Sequence, residues 1–183
     1  MKTKYVLHGG FTPGAKQEND PFFQEILKDA PSSVKILLVY FAKEANRVED
    51  NKNEDIKQFN KNKGDRTLFF EVATEESFIE QVRNADVVYL HGGATLKLLD
   101  TLKQFSDLAS LFTGKTIAGD SAGANVLCAE FYSLKNGPGE GFGLLLFKII
   151  CHYTEENKYK LDDIKPALET FFLKEYEFKV FWY

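Results

Sequence analysis

Two cysteines, Cys128 and Cys151, are all the thiol chemistry in this chain. No CxxC pair exists and both sit in apolar surroundings, which argues against a disulfide scaffold or a cysteine-bound zinc. Histidine is scarce as well: His8, His91 and His152 are the only candidates for an imidazole base. Positive charge is in deficit, with 23 Lys and Arg against 27 Asp and Glu, a formal net charge of -4. No basic surface is advertised, so neither nucleic acid nor an anionic membrane is an expected partner. The cluster Lys57, Lys61 and Lys63 lies beside Glu54 and Asp55 and reads as a solvated helix face. No apolar run approaches the length of a membrane span. The opening residues, up to Gly9-Gly10, contain no long apolar run of the secretory kind, and the cytoplasm is the expected location.

What is present is an ordinary globular balance, 44% apolar and 27% charged over 183 residues, which suits one domain, residues 1–183. Short apolar runs alternate with longer helical patterns. Lys4 to His8, Val34 to Phe41, Thr67 to Val72, Ala85 to Leu90, Lys115 to Ala118, Phe147 to Cys151 and Phe178 to Tyr183 read as strands. Asp20-Pro21 opens one helix, and residues 47–62 form a polar surface helix. A third helix is capped by Thr74. A fourth runs from Thr95 to about Phe112, and a last one is marked by Leu161, Ile164, Leu168, Phe171 and Phe172. The stretch Asn136-Gly137-Pro138-Gly139 reads as a loop. Strict alternation implies a three-layer α/β/α sandwich with a mostly parallel central sheet. Three glycine-rich turns follow strands, so they should meet at the carboxyl edge of that sheet, where sites form in such folds.

The strongest chemical signal is Gly119-Asp120-Ser121-Ala122-Gly123, a G-x-S-x-G pattern between a strand and a helix. Small residues let the two arms of such a turn approach, and the serine is pushed out above the sheet edge. The bland alternative is a tight turn with a capping serine. A serine hydroxyl needs a base. His8 and His91 each precede a Gly-Gly pair and read as structural, whereas His152 ends a strand beyond the serine and can reach the same edge. The amides of Ala122 and Gly93 are candidate oxyanion donors. Gly92, Thr95 and Asp120 flank these turns and are candidate substrate contacts. Neither G-x-G-x-x-G nor a Walker pattern occurs, so a phosphate-binding glycine loop is a weak reading.

The motifs Leu7-His8-Gly9-Gly10, Tyr89 to Thr95, Ile117 to Ala124, Gly141 to Leu145 and Cys151-His152-Tyr153 stand in the order found in one family. In them the chain resembles peptidase family S51, the dipeptidase E and cyanophycinase group of serine peptidases. The resemblance implies a class I glutamine amidotransferase-like (flavodoxin-like) fold. It implies Ser121 as nucleophile, His152 as base and an oxyanion hole at Gly93 and Ala122. It further implies cleavage of small peptides, typically after an N-terminal aspartate, without metal or cofactor. The chain departs from the family at three points. Ala94 stands where many members carry asparagine. No arginine follows Arg83 to hold an aspartyl carboxylate, which leaves Lys158, Lys160 and Lys165 as candidates, Lys158 foremost. The chain ends at Tyr183, earlier than the family's usual length, where a strand leading to the triad acid is expected. Nine acids are spread around His152, from Glu130 and Glu140 to Glu175 and Glu177, and sequence alone assigns none to the histidine.

The reading is thus a serine-type hydrolase of short peptides. Its alternative is a non-catalytic or weakly active relative that binds a small ligand. An ordinary α/β-hydrolase esterase is disfavoured because no aspartate lies between Ser121 and His152, and a glutamine amidotransferase because serine replaces the needed cysteine. A small peptide is the expected partner, and a homodimer is a possible assembly.

Overall fold

The computed structural model describes residues 2–10 and 16–183. Among them, six strands form one sheet. They are β1 (Lys4–His8), β2 (Ser33–Val39), β3 (Thr67–Val72), β4 (Val87–Leu90), β5 (Thr116–Asp120) and β10 (Phe178–Trp182), ordered β10-β1-β5-β4-β2-β3. All pairings are parallel except β1 with β10, which closes one edge antiparallel. Alternate residues of the central strands bury on opposite faces, so the strands are apolar throughout. Val6, Tyr89 and Ala118 pack beneath α1 (Asp20–Leu27) and α2 (Ala45–Asn62), around Phe22, Phe23 and Phe59. Leu7, Val88 and Ile117 face the other way. There they meet α3 (Phe78–Asn84), α4 (Thr95–Leu102), α5 (Leu108–Phe112) and α6 (Ala122–Leu127). This is the expected mostly parallel sheet flanked by helices on both faces. No helix among the described residues is long and apolar enough to cross a membrane.

Four strands form a second sheet, one of them read from the sequence as Phe147 to Cys151. These are β6 (Cys128–Ser133), β7 (Gly137–Glu140), β8 (Leu145–Cys151) and β9 (Thr170–Leu173), in the order β7-β6-β8-β9. Phe131, Phe147, Ile149 and Leu173 join this sheet to the core on the α6 side. The expected loop around Gly137 is therefore an edge strand. Pro138, which has no N–H to donate, is tolerated because β7 pairs on one side only.

The helix expected across 161–172 is also corrected. Lys165, which precedes Pro166, has φ 41°, and a residue before proline is disfavoured in helix. The chain turns there, and Phe171 and Phe172 enter β9 on opposite faces, one against Phe147 and Phe181, the other against Tyr153. The long helix expected from Thr95 breaks in two at Asp107, which takes φ 55° and caps α5 by accepting the Ser110 N–H at 3.1 Å.

Candidate active site

The three glycine-rich turns do meet at the carboxyl ends of β1, β4 and β5. Between β5 and α6 the chain turns in one residue, Ser121, at φ 47° and ψ -98°. A non-glycine residue there stores about 1–3 kcal/mol of strain, held only by surrounding packing. The glycines on either side are demanded by contact. A Cβ on Gly119 would lie 2.6 Å from the Ala124 nitrogen, and one on Gly123 would lie 2.0 Å from the Leu90 carbonyl oxygen. The Ser121 N–H donates to the His8 carbonyl at 3.0 Å, which fixes the turn to β1.

His152 follows β8 at φ 49°, and its N–H donates to the Gly9 carbonyl at 2.8 Å. Gly10 leaves room for the imidazole, since a Cβ there would fall 2.4 Å from Nε2. Asn157 donates to the His152 carbonyl at 3.1 Å and forms a reciprocal cap with Thr154, so the turn beyond the histidine is also held. The outcome is a Ser121 Oγ to His152 Nε2 distance of 3.0 Å. The other ring nitrogen, Nδ1, lies 3.3 Å from Glu175 Oε1. Glu175 sits on the turn between β9 and β10. That turn is tied to the first glycine pair by Gly9 N–H donating to the Glu177 carbonyl and Tyr176 N–H donating to that of Gly10. The Glu175 side chain is 41% exposed and that of His152 29%.

Gly93 and Ala122 stand beside the serine. Gly93 is exposed at the end of β4, with φ 152°. Among the described residues, neither its amide nor that of Ala122 donates to a turn or loop carbonyl, so both remain available to a ligand oxygen. His91 braces this turn. Its Nδ1 lies 2.9 Å from the Gly92 carbonyl, which only accepts, so the ring carries its proton there. Nε2 then accepts, and it faces Asp55 Oδ2 at 3.4 Å. Asp55 also receives the Tyr40 hydroxyl at 2.8 Å. Burial holds the Asp55 carboxyl well above the usual carboxylate range and lowers the basicity of His91. A protonated Asp55 donating to a neutral His91 satisfies both groups.

A cavity of about 270 Å³ opens over these residues, reaching from Ser121 and His152 past Gly92, Gly93 and Asp120 to Lys43, Arg47, Asp50 and Glu54. Asp120 Oδ1 lies 3.3 Å from His8 Nδ1, which accepts the Gly10 N–H at 3.1 Å. Burial lowers the Lys43 ammonium, against the pull of Asp120 and Asp55. Of the residues singled out in the sequence, Ser121, His152, Gly92, Gly93 and Asp120 line this cavity. Ala122 adjoins it in sequence, and Thr95 is buried at the start of α4. Lys158 stands apart, paired with Glu155 at 3.6 Å and stacked on Tyr159, and Lys165 pairs with Glu130 and Glu140. Sequence reasoning missed Glu175, Lys43, Arg47 and Asp55. Arg47 is the one arginine that lines this cavity, and it comes from α2, far upstream of the histidine. Among the described residues no group of three or more His, Cys, Asp or Glu side chains is arranged to hold a metal ion.

One family model, that of peptidase family S51, matches residues 7–179. Solved structures of other proteins share the fold. A peptidase from an acI-B1 Actinobacterium superposes with a TM-score of 0.72 at 22% identity, covering 98% of this chain and 83% of that one. A putative peptidase E protein from Listeria monocytogenes EGD-e superposes with a TM-score of 0.67 at 17% identity, covering 100% and 98%. No curated protein sequence matches.

Proposed function

Since the chain belongs to peptidase family S51, we propose that it hydrolyses short peptides with Ser121 as nucleophile, His152 as general base and Glu175 as the acid that orients the base. The observation that carries this reading is the continuous line from Ser121 Oγ to His152 Nε2 at 3.0 Å and from Nδ1 to Glu175 at 3.3 Å. In the acylation step Oγ attacks the scissile carbonyl while its proton passes to Nε2. The oxyanion is received by the Gly93 and Ala122 amides. The imidazolium, steadied by the Glu175 charge, then protonates the leaving nitrogen, and the C–N bond breaks. Water enters, gives a proton to Nε2 and attacks the acyl-enzyme. Collapse returns that proton to Oγ and frees the acid.

Lys43 and Arg47 support an acidic side chain on the acyl residue, because they bring cations to the cavity that holds Ser121. An Asp-X dipeptide is therefore the first substrate to try. The water exposure of Glu175 favours the second reading, a weakly active or ligand-binding relative, more than any other feature does. One pair of measurements separates them. A fluorophosphonate probe should label Ser121 stoichiometrically, and Ser121→Ala should lower dipeptide turnover by about 10⁴-fold or more. Turnover unchanged in Ser121→Ala would remove the serine from the mechanism.

A further inference from the structure

The Ser121–His152 pair lies between two cavities, and only the first has been given a role above. The second, about 150 Å³, shares Gly93, Ser121 and His152 with the first. It extends the other way, past Thr95 and Asn125 to the turn between β6 and β7 at Lys135. Two features mark it as built to receive a ligand. Asn125 is 3% exposed, and its Nδ2 donates to Thr95 Oγ1 at 3.4 Å, yet its Oδ1 meets no donor among the described residues. A buried amide oxygen without a donor is costly, and an N–H of a bound molecule would relieve it. The second feature is charge. Asp50, Glu54 and Asp120 all line the first cavity and no acid lines the second, where Lys135 is the one lysine or arginine. Lys135 is exposed and makes no ion pair among the described residues.

A free dipeptide is charged in the same sense. Its acyl residue carries the ammonium and its leaving residue carries the carboxylate. Resting on the peptidase reading above, we propose that the second cavity is the leaving-residue subsite and that Lys135 holds the C-terminal carboxylate of a dipeptide. The substrate's ammonium end then lies toward the acids of the first cavity. One residue of extra chain moves a carboxylate about 3.5 Å onward, so a tripeptide, like a dipeptide amide, forfeits the Lys135 contact.

Binding to the Ser121→Ala protein tests this without turnover. Dipeptides, Asp-Leu among them, and their C-terminal amides are titrated calorimetrically. The acid should bind about three- to fivefold tighter than its amide, the scale of an exposed ion pair. Lys135→Gln in the same background should abolish that gap, and Lys135→Glu should invert it. Lys135 lies in an exposed turn, so neither change threatens the core. Equal affinities in the parent, a gap that survives Lys135→Gln, or no binding of either form would overturn the subsite. The probe reaction on Ser121 keeps the two readings distinct. Labelling without an acid–amide gap defeats the subsite alone. A gap that depends on Lys135, without labelling, defeats hydrolysis while the carboxylate site stands.

Discussion

At the scale of single residues, the site depends on two side chains held at positive φ, Ser121 and His152, each fixed by a backbone bond to the first glycine-bearing strand end. Glu175 is the proposed third member of the line, 41% exposed against 29% for His152. Glu175→Gln keeps an acceptor for Nδ1 but removes the charge that steadies the imidazolium. Its kcat on the best dipeptide should fall by about 10²–10³, less than the roughly 10⁴ seen when a buried triad aspartate is neutralised. KM should change little, because Glu175 touches the base rather than the substrate. A kcat equal to that of the parent would leave Glu175 without a catalytic part. Ser121 and His152 were legible in the sequence because a strand end and a short motif mark each of them. Glu175 was not. Seven acids follow His152, and only the docking of one turn onto Gly9 and Gly10 selects among them.

At the scale of elements, the junction of β5 and α6 is the most sterically constrained point. Gly123→Ala would drive a methyl group into the Leu90 carbonyl at the end of β4, the strand that also delivers Gly93. Backbone on both sides leaves no flexible neighbour to yield, so a loss of about 2–4 kcal/mol is expected, read from the urea midpoint. Probe labelling should fall with it, because the same contact sets the spacing of the two amides. The parallel strands were legible because burial on both faces leaves a continuous apolar run. Of the second sheet only β8 was legible, and two of its other strands were missed for local reasons. Its strand β7 is made of Gly-Pro-Gly-Glu, whose composition signals a turn. Strand β9 borrows Phe171 and Phe172 from a spacing that mimics a helix until Pro166 is weighed. Pairing with β6 and β8, which no local window contains, decides both.

At the scale of the whole molecule, the buried pair beneath the second glycine turn links stability to pH. The folded chain keeps a proton on Asp55 that the unfolded chain releases above about pH 4. The stability this proton supports is complete below the unfolded value and drains away as pH rises toward the folded one. His91 acts in the opposite window. Burial disfavours its charged form, so its share is lost as pH falls below about 6.5. Asp55→Asn, with its Nδ2 where Oδ2 stands, can donate to His91 and to the Tyr40 hydroxyl oxygen but cannot ionise. Its melting temperature should match the parent near pH 4 and exceed it by roughly 2–6 °C at pH 8. A parallel fall of both proteins with rising pH would show that Asp55 is not the titrating group.

The serine rides on the six-stranded sheet, the histidine on the four-stranded one, and the glutamate on the link between them. No one of these parts can assemble the hydrogen-bonded line by itself. Hydrolysis therefore reports how the halves are aligned: a slip of about an ångström between them, too small to unwind a helix or part a strand, would silence the chemistry while the protein still looked folded.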